Sequence, residues 1–340
     1  MSAASLESVA AAMVAAGKGI LAADESSGTI KKRFEKIGLE STEENRRAYR
    51  ELLFTTPDMA KSISGVILYD ETLRQKTRDG VPFADYLARL GVVPGIKVDA
   101  GAKALAGFPN ETITEGLDGL RERLAEYYGL GARFAKWRAV IDIGPGFPTS
   151  YAIAANAHAL ARYAGLCQEQ KIVPIVEPEV LMDGAHTLER CEEVTDAVLA
   201  KVFTELHEAR VRMEGMILKP NMVIAGKKCP QRASPQDVAA ATVRCLKRHV
   251  PGAVPGIAFL SGGQSPAEAA LHLSLMNARG PLPWQLSFSY GRALQDAALS
   301  AWGGQSANLA AGQREFARWA RMNSLARDGR YQAGMESQAA

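Results

Sequence analysis

Cysteine is scarce and scattered in this chain of 340 residues. The cysteines show neither CxxC spacing nor the density of a disulfide scaffold, and they are Cys167, Cys191, Cys229 and Cys245. We therefore expect free thiols in a reducing compartment, which excludes a small secreted fold held by disulfides.

The chain also lacks a strong charge of either sign and any long apolar run. Its 40 Lys and Arg residues against 37 Asp and Glu residues give a formal net charge of +3, which is too small to indicate a nucleic-acid or membrane-surface partner. No uninterrupted apolar run approaches the ~20 residues of a membrane span. Glu7 stands where an export signal would be basic. We expect a soluble cytoplasmic protein without nucleic-acid or membrane partners.

Histidine is sparse as well. The five histidines all lie in helix-like stretches and none ends a β-type run; they are His158, His186, His207, His249 and His272. A catalytic metal ion needs several ligands at one place. We therefore expect no metal and no other cofactor, and we interpret each histidine as a surface or packing residue.

Short β-type runs are present in regular alternation with longer helix-type stretches. There are eight of them, at 18–24, 65–70, 95–99, 133–138, 172–178, 215–220, 256–263 and 285–292. Alternation of this kind predicts a parallel sheet, and eight units fit one (β/α)8 TIM barrel with an extra N-terminal helix and a C-terminal extension. An open doubly wound sheet is the alternative.

Helix starts and domain limits can be read from the same sequence. Ser41 and Glu44 have the spacing of a capping box, and a second helix opens at Ser265-Pro266. No linker rich in Pro, Gly or Ser divides the chain, and there is no internal repeat. We predict one barrel domain over residues 1–325 and, because residues 326–340 lack periodicity, a flexible tail after it.

Charged side chains end at least five of the eight runs. A single lysine in such a place usually only extends its ammonium group to water. In a barrel, however, the carboxyl ends of all strands meet on one face, so a charged set there is hard to explain by packing. The set comprises Asp24, Lys97, Lys136, Arg138, Glu177, Glu179 and Lys219.

This set predicts amine chemistry. Lys219, beside a second cation such as Lys136 in a partly dry site, loses its proton more readily and becomes a nucleophile. A neutral lysine attacks a ketone to form an imine, whose protonated form withdraws electrons from a neighbouring carbon–carbon bond. Glu177 and Asp24 are available to move the protons.

Two further segments predict anion binding. The turn "LSGGQS" after the seventh run lets backbone N–H groups approach an anion, and Arg292 can add a charged contact. A basic segment after the first run offers Ser26, Ser27, Lys32 and Arg33. Two anion sites around a reactive lysine indicate a substrate with a phosphate at each end.

Eight segments in the same order resemble class I fructose-bisphosphate aldolases. They are "GKGILAADES", "TEENRRAYRELL", "VPGIKVD", "FAKWR", "IVPIVEPE", "LKPNMV", "FLSGGQS" and "SFSYGRALQ". The likeness extends over residues 15–325 and implies reversible cleavage of fructose 1,6-bisphosphate, in glycolysis and gluconeogenesis, without a metal. It also implies a homo-oligomer, with a tetramer as the candidate size.

The resemblance implies a role for each catalytic candidate. Lys219 would form the Schiff base, Glu177 would be the main acid and base, and Glu179 would orient and tune the site. Lys136 would act on the carbinolamine, and Asp24 would contact the substrate hydroxyl or orient the lysines. Which carboxylate takes the proton of the C4 hydroxyl stays open.

The resemblance also implies which residues bind the substrate. Those expected at the C1 phosphate are Ser261, Gly262, Gly291 and Arg292. Those expected near the C6 phosphate are Ser26, Thr29, Lys32, Arg33 and Lys97, with Arg138 lining the same pocket.

The chain departs from the family pattern in a few places. Animal members end in a tyrosine that assists proton exchange, whereas this sequence ends "MESQAA" and its last aromatic residue is Tyr331. The segments "YDET", "DIGPGFPTS" and "EVLMDG" also differ. Alternatives are a Schiff-base barrel for another phosphorylated sugar, a metal-dependent aldolase, which the histidine pattern disfavours, and a non-catalytic scaffold, which would not need Lys219 and Glu177.

Overall fold

The computed structural model describes residues 4–338. Its strands are β1 (Gly19–Ala23), β2 (Ile63–Leu68), β3 (Val93–Lys97), β4 (Ala102–Ala104), β5 (Thr112–Thr114), β6 (Phe134–Ile141), β7 (Val173–Val180), β8 (Ile217–Leu218), β9 (Gly256–Phe259) and β10 (Gln285–Tyr290). Eight of them close a barrel in the order β1-β10-β9-β8-β7-β6-β3-β2, with every neighbouring pair parallel. The predicted (β/α)8 barrel is confirmed.

The helices surround this barrel. They are α1 (Leu6–Met13), α2 (Ser27–Glu35), α3 (Glu43–Phe54), α4 (Asp70–Arg74), α5 (Phe83–Arg89), α6 (Leu120–Gly129), α7 (Ser150–Glu169), α8 (Leu188–Glu208), α9 (Pro235–His249), α10 (Pro266–Asn277), α11 (Arg292–Trp302), α12 (Leu309–Arg327) and α13 (Met335–Gln338). Among the described residues, no helix combines the length and the apolar character needed to cross a membrane.

The N-terminal helix closes the lower end of the barrel. Side chains that begin the strands, among them Ile20, Phe134, Val173 and Ile217, form one buried cluster with the apolar face of α1. Inner-facing residues recur with a period of two along each strand. The inner face of the barrel is therefore apolar near the amino-terminal ends of the strands and carries the charged residues near their carboxyl ends.

Helix starts follow the expected chemistry with one shift of register. At α10, Ser265 and Glu268 form a complete capping box, with Pro266 in the first turn. At α3 the predicted cap at Ser41 is wrong: Thr42 is the N-cap, and its hydroxyl accepts from the backbone N–H of Asn45. Adjacent hydroxyl residues made the pattern ambiguous by one position.

The strand ends also differ from the prediction. The β6 and β7 strands extend to Ile141 and Val180, beyond the predicted ends at 138 and 178, whereas β8 has only two residues. A small antiparallel hairpin of β4 and β5 was not predicted. Its strands have three residues each, too few for a periodic pattern.

The C-terminal segment packs against the barrel. The Tyr331 ring is buried, its hydroxyl donates to the Glu336 carboxylate at 2.6 Å, and its carbonyl accepts from the Ser274 hydroxyl at 2.8 Å. Arg327 donates to the side chain of Gln285, the first residue of β10. The segment therefore lies near the amino-terminal ends of the strands.

These contacts were not foreseen for the predicted tail. Helix α12 passes the predicted boundary at 325 and ends at Arg327, and the contacts just described continue to Glu336. They join residues far apart in sequence, which a local pattern cannot show. Residues 339–340 of that tail, and residues 1–3 of the predicted N-terminal segment, lie outside the described part of the chain.

Candidate active site

The upper, charged layer of the barrel surrounds a cavity of ≈ 270 Å³. Fourteen of the fifteen residues to which the family resemblance assigned a role line it: Asp24, Ser26, Thr29, Arg33, Lys97, Lys136, Arg138, Glu177, Glu179, Lys219, Ser261, Gly262, Gly291 and Arg292. They come from seven different strand ends or following loops, as the barrel topology requires. Residues separated by more than 250 positions thus become neighbours.

Lys32 is the exception. It lies exposed on α2 and does not line the cavity, whereas the adjacent Arg33 does. Successive helical residues point about 100° apart, so only one of this basic pair can face inward. Lys32 therefore lies outside the lining of this cavity, and its place in the C6 phosphate region stays a prediction.

Two buried lysines share the carboxylate of Glu177. The Lys219 Nζ lies 3.2 Å from Glu177 Oε1, and the Lys136 Nζ lies 3.5 Å from Glu177 Oε2. Lys136 also forms an ion pair with Asp24 at 2.8 Å and lies 3.9 Å from Asp99. Glu177 can therefore exchange a proton with Lys219, while the ion pair with Asp24 holds the Lys136 side chain in position.

The charges of this cluster determine its protonation. Burial alone would lower the pKa of Lys136, but the attraction of Asp24, Glu177 and Asp99 outweighs burial and raises that pKa above its ordinary value. Burial alone would raise the pKa of Asp24. The attraction of Lys136 and Lys219 outweighs burial, so the pKa of Asp24 lies below its ordinary value. At neutral pH, Lys136 is an ammonium and Asp24 a carboxylate.

The backbone around Lys219 is held by groups that the sequence analysis missed. The Lys219 N–H donates to the Val176 carbonyl at 2.8 Å. Beyond the end of β8, the buried Asn221 side chain accepts from the Val180 N–H at 3.0 Å and donates to Thr195 at 3.2 Å. These bonds fix Lys219 relative to β7, and the asparagine in "LKPNM" was the available signal.

Asp99 was missed as well. Its carboxylate forms an ion pair with Lys97 at 2.7 Å and accepts from the backbone N–H of Arg138 at 3.3 Å. The Arg138 side chain in turn pairs with Glu179. Asp99 ends the third predicted run, "GIKVD", so its position was the signal. The result is a series of contacts from β3 to β7, in which a backbone hydrogen bond joins two ion pairs.

The anion side of the cavity is built from turns that precede helices. The Ser261–Gly263 loop leads into α10, and Gly291 directly precedes α11, which begins with the exposed Arg292. Gly263 has φ +77°, a backbone conformation that favours glycine. Backbone N–H groups at helix starts favour anions.

Known proteins share this sequence and fold. The sequence model of the family described as "Glycolytic: Fructose-bisphosphate aldolase class-I" matches residues 5–340. The chain belongs to the class I fructose-bisphosphate aldolase family. Its activity is accordingly that of a carbon–carbon lyase, the reversible cleavage of fructose 1,6-bisphosphate to dihydroxyacetone phosphate and glyceraldehyde 3-phosphate.

Individual aldolases match over nearly their full length. "Probable fructose-bisphosphate aldolase class 1" of Xanthomonas campestris pv. campestris is 59% identical over 97% of this chain and 99% of its own. "Fructose-bisphosphate aldolase B" of Gallus gallus is 55% identical over 96% and 90%. A solved Plasmodium falciparum fructose-bisphosphate aldolase, in complex with TRAP and a small-molecule inhibitor, is 52% identical with a TM-score of 0.95, covering 97% of this chain and 95% of that one.

A cavity-lining serine of this aldolase was also overlooked. Ser289 lies on β10, and its buried hydroxyl has no hydrogen-bond partner among the described residues. Ser287 and Ser289 alternate with Phe288 and Tyr290 in "SFSY", a strand pattern that places the two serines on one face. Ser289 is thus a further hydroxyl group available to a ligand beside Gly291.

The histidines of the aldolase lie away from this site. Within residues 4–338, the structure shows no group of three or more His, Cys, Asp and Glu side chains able to hold a metal ion. His186 lies in the loop before α8, not in a helix as predicted, and is buried. His272 is also buried, and burial lowers its pKa to about 4, so it is a neutral packing residue at physiological pH.

Proposed function

We propose that this aldolase cleaves fructose 1,6-bisphosphate through a Schiff base on Lys219. The observation that carries the proposal is the 3.2 Å separation between the Lys219 amine and the Glu177 carboxylate, two buried side chains that line the cavity. A lysine so placed can lose its proton to the carboxylate and attack the C2 carbonyl of the open-chain sugar.

The proposed reaction follows from that first attack. The carbinolamine takes a proton at its C2 hydroxyl and loses water, which leaves a protonated imine. A base removes the C4 hydroxyl proton, the C3–C4 bond breaks, and its electron pair moves to the imine nitrogen, which gives an enamine. Glyceraldehyde 3-phosphate leaves. Protonation at C3 and hydrolysis then release dihydroxyacetone phosphate and free Lys219.

We assign the proton transfers to Glu177. It reaches the reacting nitrogen directly, whereas the lowered pKa of Asp24 makes that carboxylate a weak proton acceptor. Asp24 holds Lys136 in place, and the Lys136 ammonium stabilises negative charge on the C2 oxygen as the carbinolamine forms. Glu179 orients Arg138 through their ion pair.

Two groups of cavity-lining residues would hold the two phosphates. We place the C1 phosphate at Ser261, Gly262, Gly291 and Arg292, and the C6 phosphate near Ser26, Thr29, Arg33 and Lys97. The two groups border each other, because a Cβ built on Gly291 would lie 3.7 Å from Arg33 Nη2.

The C1 assignment makes a testable prediction for Arg292. Arg292→Ala should raise the KM for fructose 1,6-bisphosphate and for fructose 1-phosphate about ten- to a hundredfold, since a charged hydrogen bond contributes about 1.5 to 3 kcal/mol. Steady-state kinetics on both sugars measures this. Unchanged KM values for both would contradict the assignment.

The C6 assignment predicts a difference between two adjacent residues. Arg33→Ala should raise the KM for the bisphosphate about tenfold and have a smaller effect on fructose 1-phosphate. Lys32→Ala is the matched control, because Lys32 is exposed and outside the cavity. A larger KM increase in the Lys32 variant than in the Arg33 variant would refute the assignment.

The C-terminal segment is expected to contribute to stability and not to catalysis. Deleting residues 333–340 should leave cleavage and solvent exchange of the dihydroxyacetone phosphate proton nearly unchanged, since Tyr331 and Glu336 pack away from the cavity. The free energy of unfolding should fall by about 1 kcal/mol because the Tyr331–Glu336 bond is lost. Tyr331→Phe is the control that removes this bond and keeps the segment. A large loss of exchange would show that the segment reaches the site.

We further propose a cytoplasmic homo-oligomer in which residues 1–325 form the catalytic domain. Membership of a family described as glycolytic supports the location. Light scattering of the purified protein measures the oligomer size.

The function itself is tested by assaying the purified protein with fructose 1,6-bisphosphate, other phosphorylated ketoses and an excess of EDTA. We expect the bisphosphate to have the highest kcat/KM and cleavage to persist in the chelator. A higher kcat/KM for another sugar would show that this sugar is the preferred substrate. A complete loss of cleavage in EDTA, restored by added metal, would contradict the Schiff-base route.

A further inference from the structure

A buried polar cluster lies directly behind the phosphate side of the cavity. We call it the Glu25 cluster; its members are Glu25, Arg33, Tyr49, Arg50 and Gln295. Glu25 and Arg33 line the cavity, whereas the others lie behind it on α3 and α11. Arg50 is only 2% exposed, which is unusual for an arginine and calls for a partner charge.

Both oxygens of the Glu25 carboxylate are held. Oε1 forms an ion pair with Arg33 at 2.7 Å and accepts from Gln295 at 3.0 Å, and Oε2 forms an ion pair with Arg50 at 2.8 Å. Gln295 is held in turn, because it donates to the Ala22 carbonyl at 2.6 Å and accepts from the Tyr49 hydroxyl at 3.1 Å. The carboxylate therefore cannot turn without breaking several bonds.

The charges in this cluster do not cancel. Two guanidinium groups face one carboxylate, so Glu25, Arg33 and Arg50 together carry one positive charge. Of the two arginines, Arg33 lines the cavity, whereas Arg50 is enclosed by protein. If Glu25 had Arg33 as its only ionic partner, it would neutralise the charge that a substrate phosphate needs.

We propose that Arg50 is a positioning residue that acts through Glu25: it offsets the charge of this carboxylate, so that a net positive charge remains around Arg33 for the substrate phosphate. The inference rests on the proposed function only in taking Arg33 as a phosphate-binding residue. Arg50 does not contact the substrate, and it takes no part in the chemistry at Lys219.

The first test is a double-mutant cycle. Arg50→Met should raise the KM for fructose 1,6-bisphosphate about tenfold with kcat nearly unchanged. In an Arg33→Ala background the same substitution should cause no further increase, because the residue through which it acts is gone. An equal increase in both backgrounds would overturn the proposal.

The second test removes the carboxylate as well. Glu25→Gln alone should not raise the KM, and the Arg50→Met, Glu25→Gln double variant should return the KM close to that of the unmodified protein, since no negative charge is left to neutralise. Failure of this restoration would overturn the proposal. If Arg50→Met does not fold, Glu25→Gln remains decisive, because a tenfold KM increase there would mean that the carboxylate itself is required to hold Arg33.

Two controls separate this inference from other causes. Arg47→Met removes another arginine of α3, one whose ion pairs are with Glu44 and Glu51, and should leave the KM unchanged. Borohydride trapping of dihydroxyacetone phosphate should label Lys219 in every variant. Loss of labelling in the unmodified protein would refute the proposed chemistry, whereas normal labelling with an unchanged KM in Arg50→Met would refute only the role of Arg50.

Discussion

Replacing Lys219 by methionine is expected to reduce kcat for fructose 1,6-bisphosphate cleavage by a factor of about 10⁴ or more. Methionine has nearly the length of lysine but no amine, so no imine can form and the C3–C4 bond loses the group that accepts its electrons. Glu177 and Lys136 remain in place, but neither can take over this covalent role. A coupled assay of glyceraldehyde 3-phosphate release measures the loss.

The control for this variant is Lys227→Met. Lys227 follows Lys219 in the same loop but is exposed and pairs with Asp183. The Lys227→Met variant should retain full activity. This result would exclude a general effect of a lysine-to-methionine change in this segment. Cleavage by the Lys219 variant within tenfold of the unmodified protein would show that the imine is not required.

Replacing Glu177 by glutamine is expected to lower kcat about 10²- to 10⁴-fold, the usual contribution of a general acid and base. Glutamine keeps the shape of the side chain but cannot exchange protons with Lys219, 3.2 Å away. The KM should change only a few-fold, because the phosphate-binding residues are unaltered. Steady-state kinetics over a range of substrate concentrations separates the two parameters.

Glu169→Gln is the matched control for that variant, since Glu169 lies on the surface and pairs with Arg121. It should leave kcat unchanged. Should Glu177→Gln keep kcat within tenfold of the unmodified protein, a different group must carry the protons, and Asp24 would be the next residue to test.

The sequence was informative wherever a local pattern coincides with a structural rule. Strand runs such as "FAKWR" and "IVPIVEPE" alternate between residues that face the barrel interior and residues that face the helices. Placing Lys136, Glu177 and Lys219 at the carboxyl ends of such runs was enough to predict that they meet. The family resemblance added the substrate and the individual roles.

Other contacts depend on which side of a helix a residue occupies, and the type of residue alone does not reveal this. Lys32 and Arg33 look equivalent in "KKR", yet only Arg33 faces the cavity. In "TEENRRAYRELL", Arg46 and Arg47 pair with carboxylates near the surface, while Arg50 is buried against Glu25. Asp99, Glu25 and Asn221 stand in segments that the sequence analysis quoted, but it gave them no role. Each of them has partners from other elements, and those contacts become visible only in the folded chain.

The Schiff base on Lys219 is tested most directly by borohydride reduction in the presence of dihydroxyacetone phosphate, followed by peptide mapping of the modified residue. A Schiff base on Lys219 predicts one stable adduct, on that residue, with loss of activity in proportion to labelling and no labelling in the Lys219→Met variant. An adduct on Lys136 or Lys97 in the unmodified protein, or full activity after quantitative labelling of Lys219, would contradict it.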